Sequence, residues 1–172
     1  KQSQAYCCQT PQKKKSQKIS RRVLEHPFFE KAASIVVYVS LPGEVQTRSL
    51  ILKALKRGKS IFVPRIDLRR KTIRIYKIKN WLKDLRKGTY GILEPKPVAS
   101  RLGKIQEMNL VIAPGLGFDR QGRRLGRGGG YFDRFLARAK KAKKMGLAFR
   151  EQIIKKIPTG RHDIRMDCVI TD

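Results

Sequence analysis

The sequence predicts an α/β fold, a three-layer α/β/α sandwich with a mainly parallel central sheet. Three observations carry that prediction. Short apolar runs rich in β-branched residues recur along the chain. They alternate with segments of helical periodicity. The first two runs are joined through one short helix, the compact βαβ arrangement that makes a pair of strands parallel. At 172 residues the chain is long enough to bury a sizeable core. No internal repeat or long linker divides it, so one domain is expected over residues 1–172.

Residues 1–13 read as an irregular polar segment with a break at Thr10-Pro11. Over residues 16–26, Ile19, Val23 and Leu24 fall on one helical face, and Pro27 stops the helix. Residues 34–40 form the first strand, and Leu41-Pro42-Gly43 breaks it, leaving Glu44 in the following loop. Thr47 suits a helix N-cap, Leu50, Ile51, Ala54 and Leu55 make an apolar stripe behind it, and Gly58 is a stop. Residues 60–64 are the second strand. Residues 72–78 read as a basic strand near a sheet edge, residues 81–86 as a helical turn, and residues 90–95 as a loop with a turn. Residues 110–113 are a strand ended by Pro114-Gly115. After a glycine-rich stretch, a helix is expected from Asp133 to about Lys144, burying Phe132, Phe135, Leu136 and Ala139. Residues 146–149 and 168–171 are short strands.

Composition narrows the function. Lys and Arg number 41 against 13 Asp and Glu, a net charge of +28. Such a surplus attracts nucleic acid, anionic membranes and polyphosphates. The charge is nevertheless spread along the chain, and its runs are not interleaved with aromatic residues as a base-stacking platform requires. Nucleic acid is therefore a possible partner that the pattern does not favour. No apolar run reaches the roughly 20 residues of a membrane span, and the N-terminal residues carry no apolar signal core. Cys7, Cys8 and Cys168 form neither a disulfide framework nor a Cys-x-x-Cys motif, and His26 and His162 are too few for a zinc cluster. Cys168 reads as a small core residue. These features fit a monomeric cytoplasmic protein.

The chemistry points to residues 114–134. Seven of the 14 glycines lie between Gly115 and Gly130, where an average usage of roughly 7% would place about one. The segment leaves a strand and opens a helix, the place where open α/β sheets bind ligands. Glycines let backbone N–H groups approach an anion, the helix start adds partial positive charge, and arginines grip phosphate bidentately. The segment is neither a dinucleotide fingerprint, which would need glycine at Tyr131 or Arg120, nor a P-loop; Gly58-Lys59-Ser60 lacks the first P-loop glycine at Lys53.

Several motifs together resemble the 5-formyltetrahydrofolate cyclo-ligase family, also called methenyltetrahydrofolate synthetases. They are residues 38–44 (Tyr-Val-Ser-Leu-Pro-Gly-Glu) with Thr47, Gly58-Lys59, Val63-Pro64-Arg65, residues 90–95 (Tyr-Gly-Ile-Leu-Glu-Pro) and residues 113–119 (Ala-Pro-Gly-Leu-Gly-Phe-Asp). The most specific is residues 124–134, Arg-Leu-Gly-Arg-Gly-Gly-Gly-Tyr-Phe-Asp-Arg. Gln152 and His162-Asp163 complete the order. The resemblance covers roughly residues 16–172. It implies ATP-dependent conversion of 5-formyltetrahydrofolate to 5,10-methenyltetrahydrofolate, with ATP as co-substrate and Mg²⁺ bridging its phosphates. A nucleic-acid-binding protein, or a folate or nucleotide binder without turnover, is the alternative on the same fold.

The resemblance also implies residue roles. Arg124, Leu125, Gly126, Arg127, Gly128, Gly129, Gly130, Tyr131 and Phe132 resemble the ATP-phosphate cradle. Val39, Glu44, Arg127, Gly128, Gly129, Gly130 and Tyr131 resemble the folate contacts, with Arg127, Tyr131 and Glu44 in the catalytic roles. Asp133 and Asp163 resemble magnesium-associated carboxylates. Each has a plainer reading: Asp133 as a helix-start charge, Asp163 as a turn carboxylate, Glu44 as a solvated loop residue, Val39 as strand core. Two features depart from the family pattern. An N-terminal Lys and Leu-Arg pair that contact ATP are not found over residues 1–13, and Phe132 stands where a second tyrosine is usual.

Overall fold

A computed structural model describes residues 11–88, 91–158, 160 and 163–172. Cys7, Cys8, Tyr90 and His162 lie outside the described residues. The described residues begin with α1 (Pro11–Leu24) and α2 (Pro27–Lys31), then β1 (Ser34–Val37), α3 (Arg48–Lys56), β2 (Ser60–Asp67) and β3 (Thr72–Ile78). A short α4 (Trp81–Asp84) leads into β4 (Leu85–Lys87), β5 (Leu93–Pro95) and β6 (Leu102–Gly103). Then come β7 (Leu110–Ala113), β8 (Gly117–Phe118), β9 (Arg124–Leu125), α5 (Tyr131–Arg138), β10 (Lys143–Leu147) and β11 (Cys168–Ile170).

Among the described residues, seven strands form one sheet in the order β11-β10-β7-β1-β2-β3-β6. β1 pairs in parallel with β2 and β7, and β10 in parallel with β7 and β11, whereas β3 and β6 join antiparallel. The central parallel strands β1 and β7 are buried on both faces, which explains their apolar sequences. Alternation along β1 divides the core: Ile35 and Val37 join Ile19, Val23, Phe29, Leu50 and Ile51 beneath α1–α3. Val36 joins Phe118, Phe135 and Leu136 on the α5 side. The result is the expected layered sheet between helices, mixed but mostly parallel.

Several boundaries differ from the sequence reading. Residues 11–13, expected to be irregular, open α1, because proline is tolerated at a first helical position where its N–H would be unpaired. β2 runs through Pro64 to Asp67. β1 pairs it only as far as Phe62, so Pro64 lies on a stretch with one free edge, where a missing N–H is tolerated. The expected loop over residues 90–95 contains β5, paired to β4. Thr47 stands at the N-cap position of α3 without capping it; its hydroxyl donates to Tyr38 O at 2.7 Å and ties the loop after β1 back to the strand.

The largest correction concerns α5. It ends at Arg138 rather than near Lys144, and Lys143 and Lys144 open β10. Asp167 takes the Lys144 N–H at 2.7 Å and Lys143 Nζ at 3.2 Å, which draws this lysine run into the sheet. Being at the amino end of a strand parallel to β7, it lies at the opposite edge from the segment that follows β7. Cys168 is half-buried on β11, and burial pushes its thiol up to about 11.

Candidate active site

Because β1, β7 and β10 are parallel, the chain after Val37, Ala113 and Leu147 emerges at one sheet edge. Residues 38–47 and 114–130 therefore meet where open α/β sheets bind ligands. Gln152 braces the crevice: its amide oxygen accepts from Phe149 N at 2.8 Å, and Nε2 donates to Gly115 O and Leu116 O, each at 3.3 Å.

The glycine-rich segment is folded rather than loose. β8 and β9 pair antiparallel, with Phe118 fully buried between them and the sheet. At the turn, Asp119 is buried, and its Oδ1 accepts from the backbone N–H groups of Gln121 and Arg123 at 3.0 and 2.9 Å. Its Oδ2 accepts from Ile157 N at 3.1 Å and lies 2.8 Å from Arg123 Nε. Burial alone would raise this carboxyl. The N–H donors of Arg123, Ile157 and Gln121 and the Arg123 charge outweigh it and hold the group below its usual range.

From this anchor the segment runs on to α5 as a lip at the sheet edge. Arg124 is buried, with a side chain 4% exposed. Its Nη1 donates to Pro114 O at 3.3 Å, its Nη2 to Asp133 Oδ1 at 2.7 Å, and its guanidinium lies 5.8 Å from the Phe132 ring centroid. It acts as a strut between β9 and α5. Leu125 is exposed, and a Cβ on Gly126 would meet Arg124 Nη1 at 2.9 Å. Gly128 and Gly130 have φ of +85° and +61°, conformations costly for other residues. Gly130 is the N-cap of α5, and no side chain caps that end. The first-turn N–H groups are thus not claimed by a capping side chain. Tyr131 is half-buried with the Arg134 guanidinium 5.1 Å from its ring centroid, and Phe132 packs edge-on to Phe135 at 6.0 Å.

Across the crevice, Glu44 is held by the loop after β1. Leu41 N donates to its Oε2 at 2.9 Å, and Arg127 Nη2 donates to its Oε1 at 3.1 Å. Arg127 is 60% exposed and Glu44 11%, so one partner reaches from solvent to a fixed carboxylate. Val39 is half-buried against the core at the foot of this loop. The structure thus brings Arg124 to Asp133 together with Glu44 and Val39. Asp163 stands apart: its Oδ2 accepts from Gly160 N at 2.7 Å, and no hydrogen bond joins it to the lip. Among the described residues no three His, Cys, Asp or Glu side chains gather as a metal cluster. A magnesium ion carried in on nucleotide phosphates needs only one or two carboxylates. Asp133 at the lip suits that demand, with Arg124 engaging Oδ1. The sequence reading gave no role to Asp119; its signal was an Asp two residues before Gln121-Gly122, the pattern of an Asx turn.

The 5-formyltetrahydrofolate cyclo-ligase family model matches residues 1–172. A probable 5-formyltetrahydrofolate cyclo-ligase of Caenorhabditis elegans is 33% identical over 91% of this chain and 81% of its own length. A mitochondrial 5-formyltetrahydrofolate cyclo-ligase of Arabidopsis thaliana is 33% identical over 89% of this chain and 64% of its own. In structure, the 5,10-methenyltetrahydrofolate synthetase of Aquifex aeolicus superposes with a TM-score of 0.78 at 31% identity, covering 91% of this chain and 77% of that one.

Proposed function

The chain belongs to the 5-formyltetrahydrofolate cyclo-ligase family, a family of ATP-dependent ligases, and we propose that it closes the ring of 5-formyltetrahydrofolate by phosphoryl activation at the lip of residues 124–133. The formyl oxygen attacks the γ-phosphorus of ATP, and the bond from that phosphorus to the bridging oxygen breaks, releasing ADP. The second folate nitrogen then attacks the activated formyl carbon and gives up its proton. The carbon–oxygen bond breaks, phosphate departs with the former formyl oxygen, and 5,10-methenyltetrahydrofolate remains. Such a reaction is governed by positioning and charge neutralisation.

One observation carries this reading. An α5 N-terminus without a side-chain cap follows four glycines, and Arg127 within that run reaches Glu44 in the loop after β1, at the carboxyl edge of the sheet. Arg127 neutralises charge on the transferring phosphoryl group, and Glu44, once Arg127 turns to phosphate, offers its carboxylate to the folate. The Tyr131 hydroxyl completes the contacts to phosphate and folate, and Val39 gives the folate an apolar edge. Arg124 holds α5 in place, while the backbone of residues 125–130 and Phe132 shapes the phosphate cradle. Asp133 would hold magnesium, which when bound shields the phosphate charge; Asp163, which stands apart from the lip, is given no part in it. Among the described residues no helix is long and apolar enough to cross a membrane. The compartment is not fixed by the family, since the plant relative is a mitochondrial protein.

Oxygen tracing tests the route. With substrate carrying ¹⁸O in the formyl group, the label is expected in the released inorganic phosphate. Label appearing in water or retained by the folate would exclude phosphorylation of the formyl oxygen.

A further inference from the structure

A concavity lies on the β2–β3 hairpin, and Arg134 of α5 bridges that hairpin to the cradle: its Nη2 donates to Gly129 O at 3.2 Å and to Lys71 O, in the hairpin turn, at 3.4 Å. Ile73 and Ile75 of β3 face the α5 side of the core, so Arg74 and Tyr76 lie on the other face. There a groove of about 500 Å³ is lined by Arg65, Arg69, Arg74, Tyr76, Leu68 and Leu102.

Its charges are unbalanced. Arg65 and Arg74 are direct cross-strand partners, an arrangement of like charges that destabilises a ladder unless something answers it. Glu94 answers Arg65, with Oε2 3.2 Å from Nε. Arg74 is half-buried and has no hydrogen bond or ion pair among the described residues, and the exposed Arg69 has none either. Asp67 is engaged by the backbone of Arg70. The three guanidinium groups in the lining outnumber its two carboxylates, Asp67 and Glu94. Beside them Leu68 and Leu102 present apolar surface to solvent, and Tyr76 is a buried aromatic wall. An occupant that satisfies both features has a flat apolar body ending in carboxylates. A nucleic-acid strand fits less well, because Asp67 and Glu94 would repel a continuous run of phosphates.

We propose that this groove holds the p-aminobenzoyl-glutamate tail of the folate, Arg74 and Arg69 receiving the glutamate carboxylates and Tyr76, Leu68 and Leu102 lying against the ring. The inference rests on the folate reading of the cradle. It makes the hairpin, outside the glycine-rich motif, a determinant of how strongly the tail contributes to substrate affinity.

p-Aminobenzoyl-triglutamate, which has the tail and no pterin, is the direct probe. Calorimetric titration should give saturable binding that Arg74→Gln weakens about fivefold to tenfold, the scale of one charge-assisted hydrogen bond at a half-exposed site. Arg69→Gln should weaken it less. In turnover, Arg74→Gln should raise KM for 5-formyltetrahydrofolate triglutamate by a similar factor and leave KM for ATP within about twofold. With 5-formyltetrahydropteroate, which lacks the glutamates, parent and variant should have the same KM. Tail binding unchanged by both substitutions, or an equal KM rise on the two substrates, overturns the assignment. A parent protein that binds the tail without any turnover overturns the proposed activity and leaves the groove standing; one that turns over the folate without responding to Arg74 overturns the groove alone.

Discussion

Asp119→Ala is expected to cost about 3–5 kcal/mol of folding stability, the range for removing one partner of a buried, hydrogen-bonded charge pair. The carboxylate collects the N–H groups of Gln121, Arg123 and Ile157, so the substitution leaves three backbone donors without their acceptor and Arg123 without its counter-charge. A typical domain has only about 5–15 kcal/mol in total. Thermal denaturation should show a drop of roughly 10–15 °C for a chain of this size. Asp119→Asn keeps the shape and one acceptor and should cost less. The same carboxyl sets a pH dependence. Its folded-state pKa is depressed, so its contribution is fully present above the unfolded value of about 3.9. That contribution is lost as pH falls below about 4 and through the folded value. Melting temperature should therefore fall more steeply below pH 4 in the parent than in Asp119→Asn. Equal melting temperatures for parent and Asp119→Ala would show that the glycine-rich segment is not anchored through this residue.

Arg127→Ala is expected to lower kcat/KM at least about tenfold, because a charge-assisted contact to the phosphoryl group is worth roughly 1.5–3 kcal/mol. Stability should hardly change. The Arg127–Glu44 pair has one exposed partner, and such pairs contribute about 1 kcal/mol or less. The separation of the two effects is the informative part: full folding with lost turnover marks a residue that acts on substrate. Steady-state kinetics with both substrates varied, alongside a thermal melt, checks it. Unchanged kinetics in a folded variant would remove Arg127 from the site.

The parallel centre of the sheet was legible because burial on both faces leaves no choice of residue: Ile35 to Val37 and Leu110 to Ala113 are continuous apolar runs. The cradle's position was legible for a related reason, since a strand end followed by clustered glycines and a helix start has few uses. The end of α5 was not. Lysine and alanine are good helix formers, and nothing local in residues 139–144 stops a helix. In the structure the chain turns instead into β10, where Asp167, distant in sequence, captures the backbone of Lys144. β8 and β9 were equally hidden, being two residues each and held by buried Phe118 and Asp119 rather than by propensity. Arg124 illustrates the limit for the site. Its place in the motif marks it for phosphate, yet its guanidinium is turned inward onto Pro114 and Asp133. Which arginine of a basic run faces the ligand is decided by packing that the run itself does not encode.

The most direct test of the ring-closing activity assigned to this crevice follows the absorbance of 5,10-methenyltetrahydrofolate as the protein meets 5-formyltetrahydrofolate and magnesium ATP. Product should form in step with ADP and inorganic phosphate, cease without ATP, cease with a chelator and resume on adding magnesium. A folded protein that forms no methenyl product, or forms it at the same rate without ATP, would contradict the account.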